Sequence, residues 1–324
     1  MGERPSFRGG AMKTSRRSFM HRTGALAAAG ALPAAPLFGG AAPAREPIAR
    51  QGPPSIKVSC CAYSLRQYLS GGSPSMTMDD FLVWAAGLDL DGVELTSYYF
   101  PPDADAAYFN RLKRRAFLLG LDVSATAVGN NFCVPAGPQR DKEIAAVKRG
   151  VDWAVMLGAP CVRVFAGGAP RDVREDTARQ WVIEGIEACC AYAGERGVML
   201  ALENHGGLTA DAAGVLAIVE GVASPWFGLN FDSGNFHSED PYAELARIAP
   251  HAITTHIKVA VSAKGRPPEE VDIGRVFSIL RNAGFRGYAA LEYEGKNEPR
   301  ADSAKYLRAM QAAARAAPAG GARS

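Results

Sequence analysis

Four potential metal ligands, Glu203, Asp232, His256 and Glu292, stand at the C-terminal ends of four separate strand-like runs, VMLALE, FGLNFD, TTHIK and YAALE. Parallel strands closed into a barrel bring such ends to one face, so the four would converge. Three carboxylates and one imidazole make a donor set for one divalent cation. Mn²⁺, Mg²⁺, Co²⁺ and Zn²⁺ all suit it, and the carboxylate majority favours the harder ions.

Each residue has a plainer reading when taken alone. Asp232 lies in GLNFDSGN, a context for an Asx turn or a helix cap. His256 at the end of a threonine-rich strand could satisfy one buried hydrogen bond. Glu203 is less easily dismissed, because it follows five apolar residues where an unpaired carboxylate is strongly disfavoured, and the polar turn Asn204-His205-Gly206-Gly207 comes next. Glu292 shares its strand side with Glu294, and spacing alone leaves open which of the two binds metal.

The elements that must position these residues repeat one unit. Strand-like runs fall near 56–60, 92–96, 121–126, 160–165, 198–203, 227–232, 254–258 and 287–292. Helices are expected at 77–87, 104–119, 138–157, 173–195, 209–221, 240–248, 271–283 and 301–315. Gly87, Gly120, Gly158 and Gly197 fall where helices hand over to strands. Eight such units predict an α/β fold, a (β/α)₈ TIM barrel forming a single domain over 56–315. An open doubly wound sheet uses the same alternation, but no G-x-G-x-x-G follows the first strand and no G-x-x-x-x-G-K-[ST] occurs anywhere.

Residues 1–44 read as a twin-arginine signal peptide. Arg16-Arg17 precedes an alanine-rich run from Ala25 to Phe38, and Ala42-Pro43-Ala44 supplies a small-x-small cleavage pattern. The run is short and broken by Gly30, Pro33 and Pro36, so cleavage with no stable membrane anchor is expected, and with it a periplasmic or otherwise exported protein. Residues 45–55 read as a linker and 316–324 as a flexible tail.

The whole chain carries 36 basic and 33 acidic residues; without the six basic and one acidic residue of the signal, 30 and 32 remain. A net charge near −2, with no basic cluster interleaved with aromatics, argues against nucleic acid as a partner. All six cysteines lie in the exported part, where neither a CxxC pair nor a thiolate-rich metal pattern occurs, and buried small hydrophobes are the favoured reading.

The chain resembles the sugar-phosphate isomerase and epimerase superfamily, the xylose isomerase-like TIM barrels, over roughly 56–315. The motifs are Asp91-Gly92-Val93-Glu94-Leu95, Arg163-Val164-Phe165-Ala166-Gly167, Leu202-Glu203-Asn204-His205, Phe231-Asp232-Ser233-Gly234-Asn235, His256-Ile257-Lys258 and Leu291-Glu292-Tyr293-Glu294. The resemblance implies one divalent ion, most often Mn²⁺, on Glu203, Asp232, His256 and Glu292, which breaks the tie with Glu294. It also implies a mechanism: Glu203 and Glu292 remove and return a proton beside a metal-chelated carbonyl by way of an enediolate. Return to the opposite face gives an epimer, return to the neighbouring carbon an isomer, and loss of a β-substituent a lyase or hydrolase reaction on a keto-sugar glycoside or cyclitol.

Epimerases of this group commonly place a substrate-contacting histidine three residues after the metal aspartate. This chain has Asn235 there and His237 two residues later, and Val259 where many members have an aspartate after His-x-Lys. The substrate is therefore expected to be held differently from a simple free ketose, with Asn235, His237, His205, Lys258, Glu94 and Arg163 as its contacts. Tyr63, Phe100 and Phe132 are weaker candidates for a sugar platform, and Trp226 and Phe227 suit packing at least as well. Export points to a non-phosphorylated keto-sugar or cyclitol. A noncatalytic sugar-binding protein is the alternative of another class, whereas the three-metal AP endonucleases need more histidines than His205, His237, His251 and His256 provide. The resemblance allows a homo-oligomer, and no segment marks its interface.

Overall fold

Alternation within each strand sorts apolar residues outward, against helices, and small or polar residues into the barrel. The computed structural model describes residues 46–316. The twin-arginine motif, the alanine-rich run and its cleavage site lie outside the described residues, as does the tail from residue 317.

Eight parallel strands close the barrel. They are β1 (Ser55–Cys61), β2 (Gly92–Thr96), β3 (Asp122–Ala127), β4 (Cys161–Val164), β5 (Met199–Glu203), β6 (Phe227–Asp232), β7 (Ala252–Ile257) and, after a two-stranded antiparallel hairpin of β8 (Ala260–Val261) and β9 (Glu269–Glu270), β10 (Arg286–Leu291). Their order round the barrel is β1-β10-β7-β6-β5-β4-β3-β2. The hairpin's strands are two residues each, too short for periodicity to reveal.

The helices are α1 (Arg66–Leu69), α2 (Met78–Ala86), α3 (Ala106–Leu118), α4 (Pro138–Leu157), α5 (Glu175–Gly194), α6 (Ala212–Gly221), α7 (Pro241–Ile248), α8 (Ile273–Asn282) and α9 (Pro299–Arg315). Local chemistry explains where they start. Thr77 and Asp80 form a capping box on α2, and the side chains of Asp105, Asp211, Asp240 and Asp272 accept from first-turn amides of α3, α6, α7 and α8. Among the described residues no helix is long and apolar enough to cross a membrane.

The outward-facing Val93, Leu95, Val162, Val164, Leu200, Leu202, Leu229 and Phe231 are buried in the shell against the helices. The inward set includes Ser59, Glu94, Thr96, Ser124, Arg163, Glu203, Asn230, Asp232, Thr254, His256 and Glu292, all buried. TIM barrels usually fill this space with branched apolar side chains. Here it is polar, and its hydrogen bonds cross it: Ser124 Oγ donates to Ser59 Oγ at 3.2 Å.

Residues 46–54, expected as part of a loose linker, lie against the barrel. Ile48 N donates to Pro250 O at 3.2 Å, and the Arg50 guanidinium bonds Ala252 O and sits 5.6 Å from the Phe285 ring centroid. All six cysteines are buried and none forms a disulfide, so they act as packing residues.

Candidate metal centre

Glu203 and Asp232 are the last residues of β5 and β6, His256 the penultimate residue of β7, and Glu292 follows β10, its amide continuing the ladder to Ile257 O at 3.0 Å. A register shift after Leu229 sets Asp232 opposite His256. One ligand atom from each of the four lies within 4.8 Å of all the others. His256 Nδ1 is 3.1 Å from Glu203 Oε2 and 3.3 Å from Glu292 Oε2. Ligand atoms about 2.1 Å from a shared ion, at right angles to one another, stand about 3.0 Å apart, so these separations suit a common cation.

Asp232 combines two readings that looked exclusive in the sequence. Its Oδ1 accepts from Gly234 N at 2.8 Å, the Asx turn, while its Oδ2 is buried with no hydrogen-bond partner. His256 Nδ1 is likewise buried without a hydrogen-bond partner. Each has a charged neighbour, Lys258 Nζ 3.6 Å from Asp232 Oδ2 and Glu203 Oε2 3.1 Å from His256 Nδ1, and a cation held by both atoms would satisfy them. Gly234 is required by close approach, since a Cβ there would stand 2.7 Å from Lys258 Cβ. Past the strand ends, the Asn204 side chain extends the ladder: its Nδ2 donates to Asp232 O at 3.0 Å and its Oδ1 accepts from Asp232 N at 2.8 Å.

Charge counting points the same way. Glu94, Glu203, Asp232 and Glu292 are buried with Arg163 and Lys258 as the cations among them. Four carboxylates against two cations leave two negative charges with His256 neutral, which one divalent ion balances. With protein groups alone, the protons shift to compensate. Burial pushes Asp232 up to about 7 despite Lys258. Burial also pulls His256 down, but Glu292, Glu94 and Glu203 together drive it well above its ordinary value. For Glu203 and Glu292 burial pushes up and is outweighed, by Arg163 and His256 at the first and by His256 and Lys258 at the second, so both are lowered.

The remaining sequence-derived residues divide into three groups. Lys258 and Asn235 touch the cluster: Lys258 Nζ lies 2.5 Å from Glu292 Oε2, 2.6 Å from Glu294 Oε2 and 3.6 Å from Asp232 Oδ2, and Asn235 Nδ2 donates to Glu203 Oε1 at 3.3 Å. His237 and His205 are exposed at the mouth. His237 pairs with Ser262 O at 3.3 Å in a cleft of about 410 Å³ that also includes Asn235, Lys258, Pro268, Glu294 and Lys296. His205 makes its ring contact with Phe165, centroids 4.5 Å apart. A larger cleft, about 710 Å³, lies between the loops after β4 and β5; none of the four clustered residues lines either cleft, and the smaller one reaches the cluster through Lys258 and Asn235.

Glu94 and Arg163, expected to bind hydroxyls or shape the pocket, are buried and contact other residues of the site. Glu94 Oε2 meets His256 Nε2 at 2.9 Å, and Arg163 spreads its guanidinium over Val128 O, the Tyr98 hydroxyl and Glu203. Phe100 and Phe132 are corrected. They lie in the hydrophobic core, Phe100 against Phe109 and Trp153 and Phe132 where Gly185 makes room, so neither offers a ring to a ligand.

Sequence reasoning missed Asn230, whose Nδ2 donates to Glu203 Oε2 at 2.9 Å. Its signal was period two, since it stands two residues before Asp232 on β6 and must share its face. Tyr98, half-exposed beside Tyr63 at the mouth, carried no such signal. Cys61 forms a second possible metal group with His256 and Glu292; its thiol contacts Glu94 and Thr96, and burial holds it well above the usual thiol range.

Residues 82–312 match the family described as xylose isomerase-like TIM barrel. No curated protein sequence matches the chain. Among solved structures, L-ribulose 3-epimerase superposes with a TM-score of 0.66 at 18% identity over 80% of this chain and 96% of that one. A xylose isomerase domain protein from Planctomyces limnophilus gives 0.61 at 18% over 81% and 97%. D-psicose 3-epimerase from Clostridium cellulolyticum H10, solved with D-tagatose, gives 0.63 at 14% over 79% and 96%. At these identities the likeness is one of fold. The buried cluster itself supports a metal-dependent enzymatic site consistent with that family.

Proposed function

Since the chain belongs to the xylose isomerase-like TIM barrel family, we propose that it is a divalent-metal-dependent isomerase or epimerase of a non-phosphorylated keto-sugar or cyclitol. The observation that carries this reading is the pair Glu203 and Glu292, whose Oε2 atoms flank His256 Nδ1 at 3.1 and 3.3 Å beside an orphaned Asp232 oxygen. Glu203, Asp232, His256 and Glu292 hold the ion, with Mn²⁺ first among the hard candidates. When bound, it supplies Lewis-acid polarisation of a carbonyl and its neighbouring hydroxyl.

The chain's own residues do the rest. One of Glu203 and Glu292 takes the proton from the carbon next to the carbonyl, the bonding pair moving toward the carbonyl oxygen, and a proton is returned from the other side. Lys258 offers its ammonium to the oxygen that gains charge, with Glu294 holding the lysine from behind. Asn235 and His237 meet substrate hydroxyls at the cleft. His205 joins Phe165 at the rim. Glu94 and Arg163 act from behind, on His256 and Glu203.

A second reading is favoured by the cleft, whose lining includes Lys258, Pro268 and Lys296 and whose volume of about 410 Å³ gives room beyond one sugar ring. Proton removal by the same carboxylate would then expel an aglycone from a keto-sugar glycoside. The related epimerases act on ketoses, and export through Arg16-Arg17 to the periplasm, where phosphorylated sugars are scarce, is part of the same proposal.

Metal content of the purified protein, combined with solvent-deuterium exchange over a panel of ketoses, keto-glycosides and cyclitols, tests both. One bound ion and exchange lost in Glu203→Gln and Glu292→Gln supports the proposal, and aglycone release selects the second reading. Metal-free protein without exchange returns the chain to a noncatalytic sugar binder.

A further inference from the structure

Arg163 lies on β4 with 3% of its surface exposed, yet it reaches from a candidate metal ligand to the rim of the barrel. Its Nε stands 3.3 Å from Glu203 Oε2, Nη1 donates to Val128 O at 3.2 Å, and Nη2 donates to the Tyr98 hydroxyl at 3.2 Å. The guanidinium carbon is 3.8 Å from the Phe165 ring centroid. Phe165 is itself fixed, its amide donating to Asn130 Oδ1 at 2.9 Å and its carbonyl accepting from Asn130 Nδ2 at 2.8 Å. A planar cation held in this way has one orientation.

Glu203 needs such a support. Its side chain has three rotatable bonds, and its Oε2 must stay within coordinating distance of a point shared with His256 and Glu292. Asn230 approaches the same oxygen at 2.9 Å and Asn235 the other at 3.3 Å. Arg163 is the member of this set anchored outside the cluster, through Tyr98, which is 44% exposed and edge-on to Tyr63 with centroids 6.4 Å apart.

We propose that Arg163 is a positioning residue that orients Glu203 as a metal ligand, and that Tyr98 at the mouth holds Arg163 in the orientation this requires. The inference rests on the metal reading above. It runs against simple charge: a cation beside a ligand carboxylate repels a second cation, so if Arg163 acted only through charge its loss would tighten metal binding. Positioning requires the opposite sign.

The test is Mn²⁺ affinity, measured by chelator competition, on wild type, Arg163→Met, Arg163→Lys and Tyr98→Phe, with melting temperature followed alongside. Positioning predicts a loss of about tenfold or more in Arg163→Met, the scale seen when a group supporting a metal ligand is removed. Arg163→Lys keeps the charge and loses the fork, so it should also bind less tightly. Tyr98→Phe removes one neutral contact at a half-exposed site and should weaken binding by a smaller factor without unfolding the barrel. Tighter Mn²⁺ binding in Arg163→Met, or wild-type affinity in both Arg163→Lys and Tyr98→Phe, overturns the proposal. If Arg163→Met does not fold, the other two variants decide. Failure of the metal reading itself is distinguishable, because wild type would then take up no Mn²⁺.

Discussion

His256 Nε2 meets Glu94 Oε2 at 2.9 Å across the barrel interior, both side chains fully buried and their strands separated by β1 and β10 in the closed sheet. With Nε2–H directed at Glu94, the other nitrogen faces Glu203 and Glu292 with its lone pair, the tautomer a metal ligand needs.

Glu94→Gln should therefore weaken divalent-ion binding by about ten- to a hundredfold, because the amide can present an N–H to Nε2 and turn the wrong tautomer toward the cluster. Chelator competition against Mn²⁺ measures it. Unchanged affinity would show that His256 is held by its strand alone.

Asp232 predicts a pH dependence. Its folded value is raised from 3.8 to about 7 by burial, with Lys258 at 3.6 Å opposing and Glu203 and Glu292 adding to the shift. Between those two values the unfolded chain has lost this proton and the metal-free fold keeps it, so the Asp232 contribution to stability falls as pH rises, by at most about 1.4 kcal/mol per pH unit. Melting of metal-free protein and Asp232→Asn across that range isolates this part as their difference. Metal loading displaces this proton and also the one on His256, which the surrounding carboxylates hold well above its ordinary value, so affinity should rise with pH through 7 and go on rising above it.

Lys258→Met leaves Glu292 and Asp232 buried without their cation, which should cost the metal-free protein about 3 kcal/mol. A divalent ion should recover much of the loss. Urea unfolding with and without Mn²⁺ reads both effects, and a loss that Mn²⁺ leaves untouched would place the lysine's role outside the cluster.

Phe132→Ala separates core from platform. The ring is fully buried and packs where Gly185 leaves space, so truncation should cost about 3–5 kcal/mol in stability. Mn²⁺ affinity of the folded variant should match wild type.

Much of this architecture was legible in the chain. The strand at 227–232 and the helix at 138–157 emerge with those bounds, because burial on one face and turn chemistry at the ends act over a few residues and leave a periodic trace. The hairpin at Ala260–Val261 and Glu269–Glu270 left none, being shorter than one period of evidence.

Convergence of Glu203, Asp232, His256 and Glu292 was determined by sequence once eight parallel units were recognised, since a residue at the C-terminal end of a barrel strand has only one face to occupy. Which partner each acquires was decided by the tertiary structure. Glu94 and His256 are 162 residues apart, and Arg163 and Tyr98 are 65 apart. Strand spacing predicts that such groups lie on the same end of the barrel, but closure, register and inward direction decide whether a carboxylate meets substrate or a histidine nitrogen. Those depend on every strand at once, so the contacts of Glu94 with His256 and of Arg163 with Glu203 had no trace in the sequence.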